Sequence, residues 1–176
     1  MKNFIKELIP YIVIVIVVIL IRSFVITPVV VRGDSMDDTL KDGEVLLLSK
    51  ISYHIDKIKR FDIVVIRDKD DDLIIKRVIG LPGDNVKYKN GELYINSEVV
   101  KDNYGIGKTE NFDLQTICKI NNDECVAKIP SDMYLVLGDN REVSADSRVK
   151  GLFKHDNILG KAVIRIWPIN LFKILK

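Results

Sequence analysis

Apolar and polar residues alternate on two different scales along this chain. The first scale is long. Ile9 to Ile21 is apolar without a break, Arg22 and Ser23 interrupt, and Phe24-Val25-Ile26 resumes the run. Together these make about 18 residues, or ~27 Å of helix, against the ~30 Å hydrocarbon thickness of a bilayer. Pro10 is expected in the first helical turn, where its missing N–H costs little. Thr27-Pro28 is expected to end the helix, because the residue before proline avoids helical dihedrals. Arg22 lies near one end and can snorkel to the interface. A cleavable signal peptide would need a small-x-small site after the run, and Ser23 to Pro28 offers none. The pattern therefore predicts a transmembrane helix rather than a leader or a buried core helix. Basic residues flank it on both sides, so charge leaves its orientation open.

The second scale is short. Apolar runs of three to seven residues are separated by charged or glycine-containing turns. Val29–Val31, Val45–Leu48, Ile63–Ile66, Leu73–Ile79, Tyr134–Leu137 and Ala162–Trp167 read as strands. Val86–Tyr88 and Leu93–Ile95 flank Asn90-Gly91, a strong hairpin signal. Leu81-Pro82-Gly83-Asp84 reads as a turn. Asp156–Leu159 is expected to form one helical turn ended by Gly160. Residues 96–128 are polar without a clear period and read as a long excursion. The expected organisation is a tail and anchor over 1–27 and a mainly β, antiparallel domain over 28–176.

Charge sharpens that division. The net charge is +2, and residues 1–27 carry all of it; the rest holds 24 basic and 24 acidic residues. A neutral domain lacks the positive field that nucleic-acid binding requires, so no nucleic-acid partner is expected. The chain has two cysteines and two histidines, with neither a CxxC nor an HExxH pattern. A zinc site is not expected. Cys118 and Cys125 can close a small loop if the compartment is oxidising, or remain reduced thiols.

Two residue contexts suggest chemistry. Ser35 sits in Gly33-Asp34-Ser35-Met36, a turn between apolar runs, where glycine lets backbone and substrate approach closely. A serine hydroxyl needs a base to become a nucleophile. His54 and His155 lie in charge-rich stretches that read as surface. Lys76 lies mid-strand in Leu73-Ile74-Ile75-Lys76-Arg77-Val78-Ile79. Strand alternation puts it on one face with Ile74 and Val78, while Arg77 shares the other with Leu73, Ile75 and Ile79. Desolvation there would lower its pKa and make it a base. Asp34, Asp37 and Asp38 would spoil that by holding the amine charged, so they must point elsewhere. A third stretch, Gly138 to Gly151, is dense in Asp, Arg and Ser; it is equally a loop held by Asp–Arg pairs or a source of hydroxyls near the lysine.

Taken together, these stretches resemble the bacterial type I signal peptidases. Gly33-Asp34-Ser35-Met36-Asp37-Asp38-Thr39-Leu40 is similar to the family's serine box, and Lys76-Arg77-Val78-Ile79-Gly80-Leu81-Pro82-Gly83-Asp84 to its lysine box. Gly138-Asp139-Asn140-Arg141 through Ser144-Ala145-Asp146-Ser147-Arg148 is similar to its C-terminal box. The short length resembles the Gram-positive form. The resemblance implies Ser35 as nucleophile, Lys76 as general base, and Ser144 hydrogen-bonded to the lysine amine. It implies Met36, Arg77, Asp139, Asp146 and Arg148 as supports. Gly33 occupies a position where some members place an oxyanion-donating serine, so here a backbone N–H must serve. Asp38 stands where the family usually has proline, a departure that bears on fine substrate preference rather than on the chemistry.

The same resemblance implies a single-pass membrane endopeptidase with a cytoplasmic N-terminus and an extracytoplasmic catalytic domain. Its partners would be signal peptides of secretory precursors and the lipid bilayer, with cleavage after small residues at −1 and −3 and no cofactor or metal. Two alternatives share features with it. A self-cleaving Ser-Lys repressor-type protease would carry a DNA-binding module in place of the anchor. A catalytically inactive, membrane-anchored substrate-binding homologue would not need both Ser35 and Lys76. The C-terminal Trp167–Lys176, apolar with two lysines, is expected either to rest on the bilayer interface or to pack as an ordinary final strand.

Overall fold

The structure, a computed structural model, describes residues 2–24, 26–50, 57–105, 109–121 and 125–175, without the side chains of 2–6, 19–24 and 121. His54 and the side chain of Arg22 therefore lie outside the described part.

The long apolar run forms α1, Lys2–Phe24. It begins earlier than expected, so Pro10 stands inside the helix rather than in its first turn. It also ends earlier, because Ile26 already pairs with Ser49 in the sheet and Pro28 lies within that strand. Proline is tolerated there because the strand is at a sheet edge. From Leu8 to Val18 the apolar side chains of α1 are exposed. Among the described residues, no helix is long and apolar enough to cross a membrane.

After α1 the chain is mostly β. The strands are β1 (Ile26–Val30), β2 (Val45–Ser49), β3 (Ile63–Arg67), β4 (Leu73–Gly80), β5 (Val86–Lys89), β6 (Glu92–Ile95), β7 (Glu98–Val100) and β8 (Phe112–Asp113). Next come α2 (Leu114–Asn121), β9 (Met133–Leu137), α3 (Ser147–Lys150), β10 (Phe153–Lys154), β11 (Ile158–Trp167) and β12 (Lys173–Ile174). The larger sheet runs β1-β2-β11-β3-β4-β9-β10, with β12 beside β11, and the smaller runs β7-β6-β5-β8. Every described pairing is antiparallel.

The Asn90-Gly91 hairpin forms as expected, with Lys89 opposite Glu92. Both turn residues have positive φ, 54° and 82°, which the two-residue hairpin turn requires. One reading needs correction. Asp156–Leu159 is not a helical turn; a short 3-10 turn covers His155–Asn157 and Ile158 already opens β11. The long excursion over 96–128 supplies β7, β8 and α2. Its apolar residues are sparse but well placed: Phe112, Leu114 and Ile117 are buried against Tyr88 and Leu135. Cys118 and Cys125 are joined as a disulfide with Cα atoms 5.2 Å apart.

Candidate active site

Strand β4 is the spine of the site. On one side it pairs with β3 along Leu73 to Arg77. On the other it meets β9 only from Arg77 onward, Arg77 opposite Leu137. Among the described residues, the edge from Leu73 to Lys76 thus has no strand partner on that side. The alternation read from sequence holds. Ile74 and Val78 pack with Val64, Tyr134 and Val136, whereas Ile75 packs with Val31, Met36 and Leu40.

Lys76 is 3 % exposed. Its Nζ donates to Ser35 Oγ at 2.6 Å, although 41 residues separate the two in sequence. Burial pushes the amine down from its ordinary 10.5 to about 8; Asp146 pulls it up, Lys150 adds to the drop, and Asp139 opposes it. The three aspartates around Ser35 leave the amine alone. Asp37 pairs with Lys41 at 2.8 Å, and Asp34 and Asp38 are exposed. The carboxylates that do reach Lys76 electrostatically, Asp139 and Asp146, each have an arginine of their own.

Ser35 sits on a turn closed by its own backbone: Asp37 N donates to Asp34 O, and Leu40 N to Met36 O. Met36 is buried, and its Sδ accepts from Asp139 N at 3.4 Å. The Ser35 carbonyl accepts from Asn140 N at 3.0 Å. These two contacts tie the serine turn to the loop after β9. The Gly33 N–H is occupied by Asp42 Oδ1 at 2.8 Å.

The arginine–aspartate pairs hold the frame. Arg77 and Asp139 are fully buried. Arg77 Nε donates to Asp139 Oδ1 at 2.8 Å and Nη2 to Oδ2 at 2.6 Å, a bidentate fork. Its Nη1 donates to Phe61 O at 2.8 Å, and the guanidinium lies 3.8 Å from the Tyr104 ring centroid. Asp146 accepts from Gly138 N at 3.0 Å, caps α3 through Arg148 N, and pairs with Arg148 Nη2 at 2.9 Å. Glycine at 138 is a packing necessity. A Cβ there would collide with both Ser144 Oγ and the Ser35 carbonyl.

One expectation fails in this geometry. Ser144 Oγ is buried and makes no hydrogen bond, so the bond to the lysine amine is not formed. The Ser144 side chain is tucked against Gly138 instead, in a turn fixed by Arg141 Nε donating to Gly138 O at 3.0 Å.

Sequence reasoning gave no role to several further residues. Thr39 Oγ1 donates to Asp139 Oδ2 at 2.5 Å and accepts from Arg77 Nη2. Ser147 Oγ accepts from Val136 N at 2.9 Å. Arg141 pairs with Asp102 at 2.5 Å and donates to Tyr88 Oη and Thr109 Oγ1, joining the smaller sheet to the site. Thr39, Arg141 and Ser147 fall inside the motif stretches, and that position was their only signal. Arg165 Nη1 binds both Glu44 oxygens and Thr39 O, while its Nε holds Leu171 O.

Known proteins resemble this chain over most of its length. Residues 2–167 match the family model described as signal peptidase, peptidase S26. Signal peptidase IB of Staphylococcus aureus is 39 % identical over 181 residues, covering 96 % of this chain and 94 % of its own. Signal peptidase I of Bacillus caldolyticus is 41 % identical over 166 residues, covering 93 % and 91 %. A crystal structure of a signal peptidase I from Enterococcus faecalis aligns with a TM-score of 0.55 at 34 % identity, covering 62 % of this chain and 99 % of that one.

Proposed function

The chain belongs to the signal peptidase S26 family of serine endopeptidases, which remove signal peptides from preproteins, and we propose that it does so with Ser35 as nucleophile and Lys76 as general base. The observation that carries this is the 2.6 Å contact between Lys76 Nζ and Ser35 Oγ, made by an amine whose pKa burial has lowered to about 8.

The neutral amine takes the Ser35 hydroxyl proton as Oγ attacks the carbonyl carbon before the scissile bond. The Ser35 N–H stabilises the resulting oxyanion, because the Gly33 N–H is already occupied. On collapse the Lys76 ammonium protonates the departing amine, the mature chain leaves, and Ser35 is left as an ester. Lys76 then deprotonates a water that hydrolyses this ester and frees the serine. Met36, Arg77, Asp139, Asp146 and Arg148 hold the serine and lysine in register. The signal peptide adds as a strand along the Leu73–Lys76 edge left open by β9, with small side chains at −1 and −3.

Members of this family are membrane-associated. For this chain residues 1–27 serve as a single anchor with a cytoplasmic N-terminus, and 28–176 form the extracytoplasmic domain. The exposed apolar residues of α1 and the exposed Trp167, Ile169, Phe172 and Ile174 support contact with lipid.

The test uses the full chain in detergent micelles and a secretory precursor with alanine at −1 and −3. Cleavage is expected after the −1 alanine, lost in Ser35→Ala and lost when −1 becomes phenylalanine. A parent that binds the precursor without cutting it would identify an inactive substrate-binding homologue instead.

A further inference from the structure

A cleft opens beside the loop that follows β9. It measures about 520 Å³ and lies between α2, which contributes Thr116, Ile117 and Ile120, and the segment running from Arg141 to Val149. Ser144 is among its lining residues, and the same serine packs with the Ser35 carbonyl against Gly138. The cleft therefore begins next to the turn that carries the nucleophile. It also lies on the side toward which a bound substrate must continue. A peptide added along Leu73–Lys76 cannot run further beside β4, because from Arg77 onward β9 occupies that edge. Past Lys76 the chain has to turn off over the loop that follows β9.

We infer that this cleft binds the first residues of the mature protein, those after the cut, and that it selects basic over acidic side chains among them. The inference rests on the reading that residues before the cut occupy the β4 edge. Two arginines line the cleft, but each already has a carboxylate partner, Arg141 with Asp102 and Arg148 with Asp146. Two exposed glutamates, Glu110 and Glu142, are also in the lining, so carboxylates set the sign of the site. The buried Ser144 hydroxyl, without a hydrogen bond in the structure, is a polar group available to the substrate backbone at the cleft's inner end. A buried hydroxyl left unpaired is costly, and a partner arriving with the ligand removes that cost. The α2 wall comes from the 96–128 stretch, so that stretch acts in specificity as well as in folding.

Two precursors identical except at the second and third positions after the cut, Lys-Lys in one and Glu-Glu in the other, decide the matter. Both carry alanine at −1 and −3, and the full chain is assayed in uncharged detergent. The Lys-Lys precursor should be cleaved with a kcat/KM about threefold higher, the scale of one exposed ion pair, mainly through KM. The preference should fall to about one in Glu110→Lys. Equal cleavage of the two precursors by the parent, preference for Glu-Glu, or a preference unchanged in the variant would overturn the inference while leaving the peptidase reading intact. Failure of the parent to cut either precursor would overturn both.

Discussion

Lys76→Met is expected to give a protein that is inactive and yet more stable than its parent at pH 7. The activity loss comes from removing the base: about 10³-fold or more in kcat/KM, with precursor affinity little changed. The stability gain comes from linkage. In the unfolded chain the amine has an ordinary pKa of 10.5, and in the folded chain burial lowers it to about 8. Between those values the unfolded state binds more protons, so the parent's stability rises with pH across that window. At pH 7 both states are protonated and burying the ammonium costs the folded protein about 3 kcal/mol. Methionine fills nearly the same space without that cost. Urea unfolding should therefore show the variant ahead by roughly 2–3 kcal/mol at pH 7, and by about half as much at pH 9.5. A variant no more stable than its parent at either pH would mean that Lys76 is comfortably charged in the fold.

Asp139→Asn is the second large effect, and its sign is opposite. Arg77 and Asp139 have no exposed side-chain surface, so neutralising one leaves a buried guanidinium uncompensated. Breaking such a pair costs about 3–5 kcal/mol, readable as a fall in the urea midpoint. Replacing both members, as Arg77→Met/Asp139→Leu, should cost less than the single change, because no lone charge remains. Asp139 also raises the Lys76 pKa, so the folded fraction of the asparagine variant should begin to cleave at lower pH. A single variant as stable as its parent would show that water reaches the pair.

Much of this site is legible in the sequence because its key residues break a local pattern. Lys76 is a charged residue inside an apolar strand, and period-two alternation puts it on the face of Ile74 and Val78, whose packing partners are those of that face. Ser35 interrupts two apolar runs at a glycine turn. The positions of Asp34, Asp37 and Asp38 are not readable locally, since the reach of a carboxylate depends on where the turn sits against β4. The same holds for the network that joins Arg141 to Asp102, Tyr88 and Thr109. Its members come from four separate stretches, and no spacing rule connects them. Residues 96–128 show no clear period because their apolar residues serve a sheet only four strands wide, with β8 just two residues long. The end of α1 is hidden for a related reason. Pairing of Ile26 with Ser49 overrides the local preference that would have carried the helix to Thr27.

The most direct measurement is a titration of the Lys76 amine itself, followed through its ¹⁵Nζ chemical shift in the full chain in detergent micelles. The expected midpoint is about 8. A midpoint at or above about 10, that of a lysine in water, would contradict the assignment of Lys76 as the base that activates Ser35.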